Sequence, residues 1–228
     1  MGNPAISYFL CRNIYQMKST VIVSLLVMAL ASCGPKIYKS NTFDQALARH
    51  RTVAILPAEV ITRLRPNESK KVTPEQLDAM NEKTGFSIQD KMYSWFLRRS
   101  DKFHYTVTFQ DITRTNALLK QAGISYQDLA AKDRTELARL LGVDAILQDR
   151  TSLDKPMSDG AAVAVGVIFG VWGNTNAAET TINIHDGKTG DLLWKYDYNA
   201  SGSVGSSADR LVNALMRNAS KKFPYSAK

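Results

Sequence analysis

The side chains able to do chemistry in this 228-residue chain are few and scattered. His50, His104 and His185 stand far apart, so no pair has the three- or four-residue spacing of a helical metal site, and no H-E-x-x-H occurs. Two cysteines, Cys11 and Cys33, can build neither a four-thiolate zinc site nor a disulfide framework. The phosphate-loop, dinucleotide and nucleophile-elbow patterns, which need glycines at fixed offsets around the reacting group, are absent. Gly202-Ser203-Val204-Gly205-Ser206-Ser207 precedes a helical stretch but offers no lysine to a phosphate, and reads as a flexible connection. The carboxylate pairs Asp154/Asp159 and Asp186/Asp191 border turns, where aspartate is expected, and no contrasting surroundings split either pair into acid and base. The chain is therefore predicted to have no catalytic residue, no metal and no cofactor, and not to be an enzyme.

Cys33 has a different setting. Val21 to Ala31 is an apolar run broken only by Ser24, preceded by Lys18. As a helix it would span roughly 16 Å, about half of a bilayer's hydrocarbon core, which suits a signal-peptide core and not a membrane span. Leu30-Ala31-Ser32-Cys33-Gly34 follows. Small residues directly before a cysteine at the end of such a run resemble the lipobox of bacterial lipoproteins. The resemblance implies cleavage before Cys33, a diacylglycerol on its thiol and an acyl chain such as palmitate on its new amine. Several acyl chains anchor firmly where a single one is marginal. Residues 1–32 are then the signal peptide, and Met17-Lys18 makes a better start for it than Met1. With Cys11 removed and Cys33 consumed, no free thiol remains, which excludes cysteine catalysis. The residue after the cysteine is Gly34 rather than Asp, which in the proteobacterial sorting pattern favours the outer membrane.

The elements behind the anchor follow from periodicity. Residues 33–42 are polar after the cysteine and read as a tether. Thr52 to Pro57 is a buried strand closed by proline, and Arg63 to Thr73 an exposed loop. Pro74 opens a helix that Gly85 interrupts and that resumes through Ile88, Met92, Trp95 and Phe96. Tyr105 to Phe109 alternates as a second strand. Thr113 to Ala122 is a helix, and Ser125-Tyr126-Gln127-Asp128 is a near capping box for another, ending at Gly142. Val143 to Leu147 is the third strand. Thr180–His185 and Leu192–Tyr198 form a hairpin, and Ala208 to Phe223 an amphipathic helix.

Three pieces in this order carry a resemblance: the early strand ending in Pro57; a helix ending Leu-Gly before Val143-Asp144-Ala145-Ile146; and the hairpin with Asp186-x-x-Thr189-Gly190-x-x-x-Trp194. The chain from about residue 43 to 223 resembles the small domain of bacterial envelope lipoproteins related to the curli-secretion lipoprotein, the N-terminal domain of the Tol–Pal propeller protein and the lipoprotein activators of peptidoglycan synthases. The expected fold is α/β (α+β): a single compact domain over 43–228, with a mixed five-stranded sheet, about four flanking helices, a terminal β-hairpin and a C-terminal helix. The resemblance implies binding or assembly as the task.

Gly160 to Gly173 (GAAVAVGVIFGVWG) has no polar side chain and is too short to span a membrane as a helix. Gly166 and Gly170 frame a G-x-x-x-G, the spacing that lets helices approach closely in lipid. Core burial, a self-association or partner surface, and membrane insertion are its three readings, with Gly166, Phe169, Gly170 and Trp172 as the contact candidates for the last two. Lys and Arg exceed Asp and Glu by 29 to 21, and removal of Arg12 and Lys18 with the signal peptide leaves +6. That excess lies near the anchor and on the last helix, which suits contact with anionic lipid or glycan; nucleic acid is not expected as a partner. The expected function is that of a non-enzymatic accessory or scaffold subunit of an envelope export or cell-wall complex, anchored to the outer membrane by lipid with its domain in the periplasm. Its partners would be envelope proteins, a second copy of itself included. The alternative is an oligomeric secretion-channel subunit with 160–173 at the membrane.

Overall fold

A proline in an apolar run shapes the centre of the sheet. The computed structural model describes residues 36–64, 66–70, 72–154, 177–201 and 208–226. In it the expected first strand is β2 (Thr52–Ile55), and the chain resumes after Pro57 as a further strand, β3 (Glu59–Arg63). Proline has no N–H to give a ladder, so pairing stops there. Both pieces run parallel to one neighbour, β5 (Ala145–Asp154): β2 against residues 145–147 and β3 against 150–154. They are two halves of one interrupted strand.

The rest of the sheet extends to either side. β4 (Thr108–Phe109) lies parallel to β2 at one edge. On the other side β5, β6 (Ala177–Asp186) and β7 (Leu192–Ser201) form an antiparallel run, and β1 (Lys36–Lys39) closes the far edge against β7. The order is β1-β7-β6-β5-β2-β4, with β3 beside β5. The α/β class and mixed sheet are as expected, with seven strands in place of five. The two additions, β1 and β3, are short and lack a clear alternation in sequence. Lys36–Lys39 had been assigned to the tether, yet it pairs as an edge strand, register Lys36 to Asp197 through Lys39 to Trp194.

Helices cover the sheet unequally. On one face α1 (Phe43–Arg49), α3 (Pro74–Phe103) and α6 (Ala208–Ala219) pack a large core around Ile88, Met92, Trp95, Phe96, Leu215 and Met216. On the other, α4 (Ile112–Gln121) and α5 (Arg134–Leu141) cover only the neighbourhood of Ala54, Leu56 and Ile146. A single turn, α2 (Pro66–Ser69), occupies part of the expected loop 63–73. Alternation along β5, β6, β7 and β1 therefore leaves Arg150, Thr181, Asn183, Lys195, Asp197 and Tyr38 on the less covered face.

Three local expectations change. Helix α3 is unbroken through Gly85, because this glycine serves a contact and not a kink. A Cβ there would sit 2.3 Å from Ala58 O and 2.7 Å from the Tyr126 ring. The capping-box bonds form, with Ser125 Oγ donating to Asp128 Oδ2 at 2.6 Å, but residues 126–131 remain turns. The helix waits for Asp133, whose Oδ1 accepts from Thr135 N and Glu136 N. Of Tyr105–Phe109 only the last two residues are strand; Tyr105 makes an isolated bridge to Ser226 and packs its ring among Phe96, Phe103, Phe109 and Phe223.

Gly85→Ala should destabilise the domain by about 2–3 kcal/mol, since a methyl group forced against backbone cannot be relieved by a rotamer change. Urea denaturation of the purified domain checks this; a loss within about 0.5 kcal/mol would show that the helix shifts freely.

Candidate functional site

The sequence motifs that carried the resemblance converge at one end of the sheet. Asp144, which begins the approach to β5, accepts from the backbone N–H of Arg51 and Thr52 at 2.8 and 2.9 Å and so ties down the start of β2. Its own N–H donates to Thr52 O, and its carbonyl receives Gly187 N–H at 2.8 Å. A side chain at position 187 would meet Asp144 O at 2.7 Å, so the turn after β6 needs glycine there. Asp186, only 2% exposed, accepts from Lys188 N and pairs with the Arg49 guanidinium. Trp194, the last motif residue, is buried.

A chain of polar side chains runs inward from Asp186. His50 Nε2 stands 3.8 Å from Asp186 Oδ1, and His50 Nδ1 lies 2.7 Å from Tyr225 Oη. Phenol, imidazole and carboxylate in sequence resemble in outline a nucleophile–base–orienter array. Solvent exposure decides against that use: Tyr225 is 0% and His50 1% exposed, so no substrate atom can reach the hydroxyl. Burial lowers the His50 pKa, against the opposing pull of Asp186, and raises that of Tyr225. Both are neutral, with Tyr225 donating to Nδ1 and the imidazole proton assigned to Nε2. The array joins the end of α1, the β6–β7 turn and the C-terminal segment. Sequence reasoning missed it because Asp186 and Tyr225 lie 136 and 175 residues after His50, with no local spacing to betray them.

A second group surrounds the strand break. Gln89 Nε2 donates to Ile55 O at 2.8 Å and to Asn116 Oδ1 at 3.1 Å, and Asn116 Nδ2 donates back to Gln89 Oε1. Tyr126 Oη accepts from Val60 N at 2.9 Å and donates to Ala58 O at 2.8 Å. Beside them lies an open cleft of about 570 Å³, lined by Pro57, Glu82, Phe86, Asn116, Lys120 and Tyr126 among others. The Asn116 amide is committed to Gln89 and the Tyr126 phenol to the backbone, and the acid and base, Glu82 and Lys120, cancel in charge. The cleft can accept a contact; it does not bring acid, base and nucleophile together.

The residues singled out from sequence are not gathered here. Leu30, Ala31, Ser32, Cys33 and Gly34, and Gly166, Phe169, Gly170 and Trp172, all lie outside the described residues. His104 caps α3, and His185 Nδ1 donates to Gly190 O, so the three histidines remain apart. Among the described residues no group of three His, Cys, Asp or Glu side chains could hold a metal ion, and no helix is long and apolar enough to cross a membrane.

No family model matches the chain, and no curated protein does. Solved structures do. Lipoprotein GNA1162 from Neisseria meningitidis is 14% identical over 78% of this chain and 99% of its own, with a TM-score of 0.41. The LpoB C-terminal domain from Salmonella enterica is 13% identical over 70% and 95%, at 0.34. The PelC dodecamer from Paraburkholderia phytofirmans is 12% identical over 86% and 98%, at 0.43. The Neisseria meningitidis protein is itself named a lipoprotein, the class to which the motif resemblance pointed.

One buried acid remains. Asp149 lies 1% exposed on the helix-covered face of β5, its carboxylate receiving only Thr151 Oγ1, and burial pushes its pKa from 3.8 to about 7. Between those values the folded state binds the extra proton, so stability falls as pH rises, at up to about 1.4 kcal/mol per pH unit. His50 acts oppositely: with its pKa lowered from 6.5, the unfolded chain takes its proton first, and stability falls as pH drops below 6.5. Asp149→Asn keeps an acceptor for Thr151 and should raise stability at pH 8 by more than about 1 kcal/mol, leaving a stability that climbs with pH through the His50 range. Thermal melts of both proteins between pH 4 and 8 read this directly (about four points suffice); a variant no more stable than its parent at pH 8 would show Asp149 to be charged and solvated in the fold.

Proposed function

We propose that the chain is a non-enzymatic envelope lipoprotein, fixed to a membrane through acyl chains on Cys33, whose α/β domain serves as an accessory subunit binding envelope proteins or further copies of itself. The observation that carries this reading is the ordered run of Lys18, the apolar stretch Val21 to Ala31, the small residues Ala31-Ser32, and Cys33. Each feature is common alone; in this order they form the substrate of lipoprotein processing. The absence of Asp at position 34 favours the outer membrane as the destination, with the domain in the periplasm.

The position of 160–173 supports a contact role for it. Asp154 pairs with Ala177, so the apolar stretch belongs to the connection at the tip of a ten-residue antiparallel hairpin. That tip is at the end of the sheet opposite the Asp144–Asp186 network. The less covered sheet face bordering it presents Arg150, Thr181, Asn183 and Asp197, a poor bed for fourteen apolar residues. Gly166, Phe169, Gly170 and Trp172 then supply contact surface to a partner, a second copy or lipid. A hairpin tip is also where added strand length would project from the domain, which favours a secretion-channel subunit as the second reading; the lack of in/out alternation in 160–173 weighs against a barrel wall.

Cys33→Ser should move the protein from the membrane to the soluble fraction of fractionated cells, and continued behaviour as an integral lipoprotein would remove the anchoring claim. Gly170→Leu and Trp172→Asp should change the mass of the detergent-extracted particle by light scattering while circular dichroism stays native. Unchanged mass with an intact fold excludes self-association through this segment, and single-channel conductance from the wild-type particle would select the channel reading.

A further inference from the structure

Strand β1 begins only three residues after Cys33, and all four of its side chains are exposed. The described residues leave four large apolar side chains exposed: Ile37, Tyr38, Leu97 and Leu140. Two of them are adjacent in this strand, 43% and 50% exposed, between Lys36 and Lys39. β1 is the last strand at its edge, hydrogen-bonded to β7 alone. Tyr38 and Lys36 project on the less covered face beside Lys195 and Asp197. Ile37 and Lys39 project on the other face, where Lys39 pairs with Asp44 at 2.8 Å and lies over the Phe43 ring. An aliphatic side chain, a phenol and lysines with long apolar stems are the set that suits a bilayer's headgroup layer: rings and stems sit among the headgroups while ammonium groups meet phosphates.

Chain length brings that surface within reach. Gly34 and Pro35 alone separate Cys33 from β1, and three extended residues span at most about 11 Å. The opposite edge strand, β4, stands five strand spacings from β1, about 24 Å across the sheet. The expected tether of residues 34–42 is thus reduced to Gly34 and Pro35, because Lys36–Lys39 is held in the ladder.

We propose that the β1 edge of the sheet, with Lys36, Ile37, Tyr38 and Lys39, rests on the anionic headgroup surface of the membrane that holds the anchor, so that the domain lies against the bilayer. This rests on the reading of Cys33 as the lipidated residue. Partners are then met within a domain's width of that membrane, and the domain does not reach across the envelope. Lysines on an edge strand also discourage strand-to-strand aggregation, a role that requires no lipid contact and is separated by the experiment.

The mature chain has no thiol besides Cys33, so single added cysteines can be spin-labelled. Ile37→Cys, Lys195→Cys and, beyond β4, Arg114→Cys would be labelled in the lipidated protein on vesicles of phosphatidylethanolamine with a minority of phosphatidylglycerol. The same labels on an unlipidated protein in solution, with residues 1–32 removed and Cys33→Ser, serve as reference. Collision with a water-soluble nickel chelate should fall by about threefold or more on vesicles at positions 37 and 195, and stay unchanged at 114. Equal exposure at all three positions overturns the proposal, and so does protection at 37 without protection at 195, which would mean that β1 has peeled away to act as a tether. Sedimentation of the same samples distinguishes the failures: lipidated protein that does not pellet with the vesicles refutes the anchor itself.

Discussion

The domain depends on satisfying the backbone groups released where the strand next to β5 breaks at Pro57. β5 is hydrogen-bonded along ten residues to β6, and its other edge is filled by two short pieces with a gap between them. Buried peptide groups at such a gap cost about 1–3 kcal/mol each if left unpaired. One helix and one tyrosine meet the demand. Gly85 O accepts Ala58 N–H at 3.1 Å, Gln89 reaches Ile55 O one turn further along α3, and Tyr126 bridges Ala58 O and Val60 N–H. This clamp sets how close α3 lies to the sheet, and with it the packing of Met92, Trp95 and Phe96 in the main core.

That clamp shows why some of the fold was legible in sequence and some was not. The long helix, the β6–β7 hairpin and the final helix announce themselves because their periodicity is sustained over many residues. Gly85 misled, since a glycine inside a helical pattern signals a break unless the close approach of another backbone is known. β3 escaped because its partner lies some ninety residues away and its five residues alternate weakly around Thr62 and Arg63. β1 escaped for a related reason: its four residues are all exposed, so no buried face imprints a pattern on them. Of the candidate site, the lipobox-like pattern was readable because it is a local run of residue types. The Tyr225–His50–Asp186 array was not, being made by tertiary contact alone.

The family-like motifs take on a physical meaning once placed. Asp144, Asp186 and Gly187 lie at one end of the sheet; the carboxylates of Asp144 and Asp186 and the Asp144 carbonyl are bonded to neighbouring backbone N–H groups or to Arg49, with His50 Nε2 standing 3.8 Å from Asp186. Such bonds fix how α1, β2, β5 and the β6–β7 turn meet. Asp186 is buried there, while Asp144 lies at the surface with its carboxylate committed to two backbone N–H groups. A motif that knits a fold together travels between proteins with different partners, because it constrains the scaffold and not the surface.

The two ends of the sheet therefore divide the work. At the Asp144–Asp186 end, polar groups are joined to neighbouring backbone and to one another, and the chain turns tightly. At the other end β5 stops at Asp154, β6 starts at Ala177 and β7 finishes at Ser201, with the apolar 160–173 stretch belonging to the connection between the first two. β1 enters the sheet from this same side, Lys36 level with Asp197 and Lys39 with Trp194 nearer the closed end. The chain before Lys36 thus joins the domain on the side of the sheet where β5 ends and β6 begins. The bonds of Asp144 and Asp186 thus hold the end where β2, β5 and the β6–β7 turn meet, and substitutions there act on the scaffold.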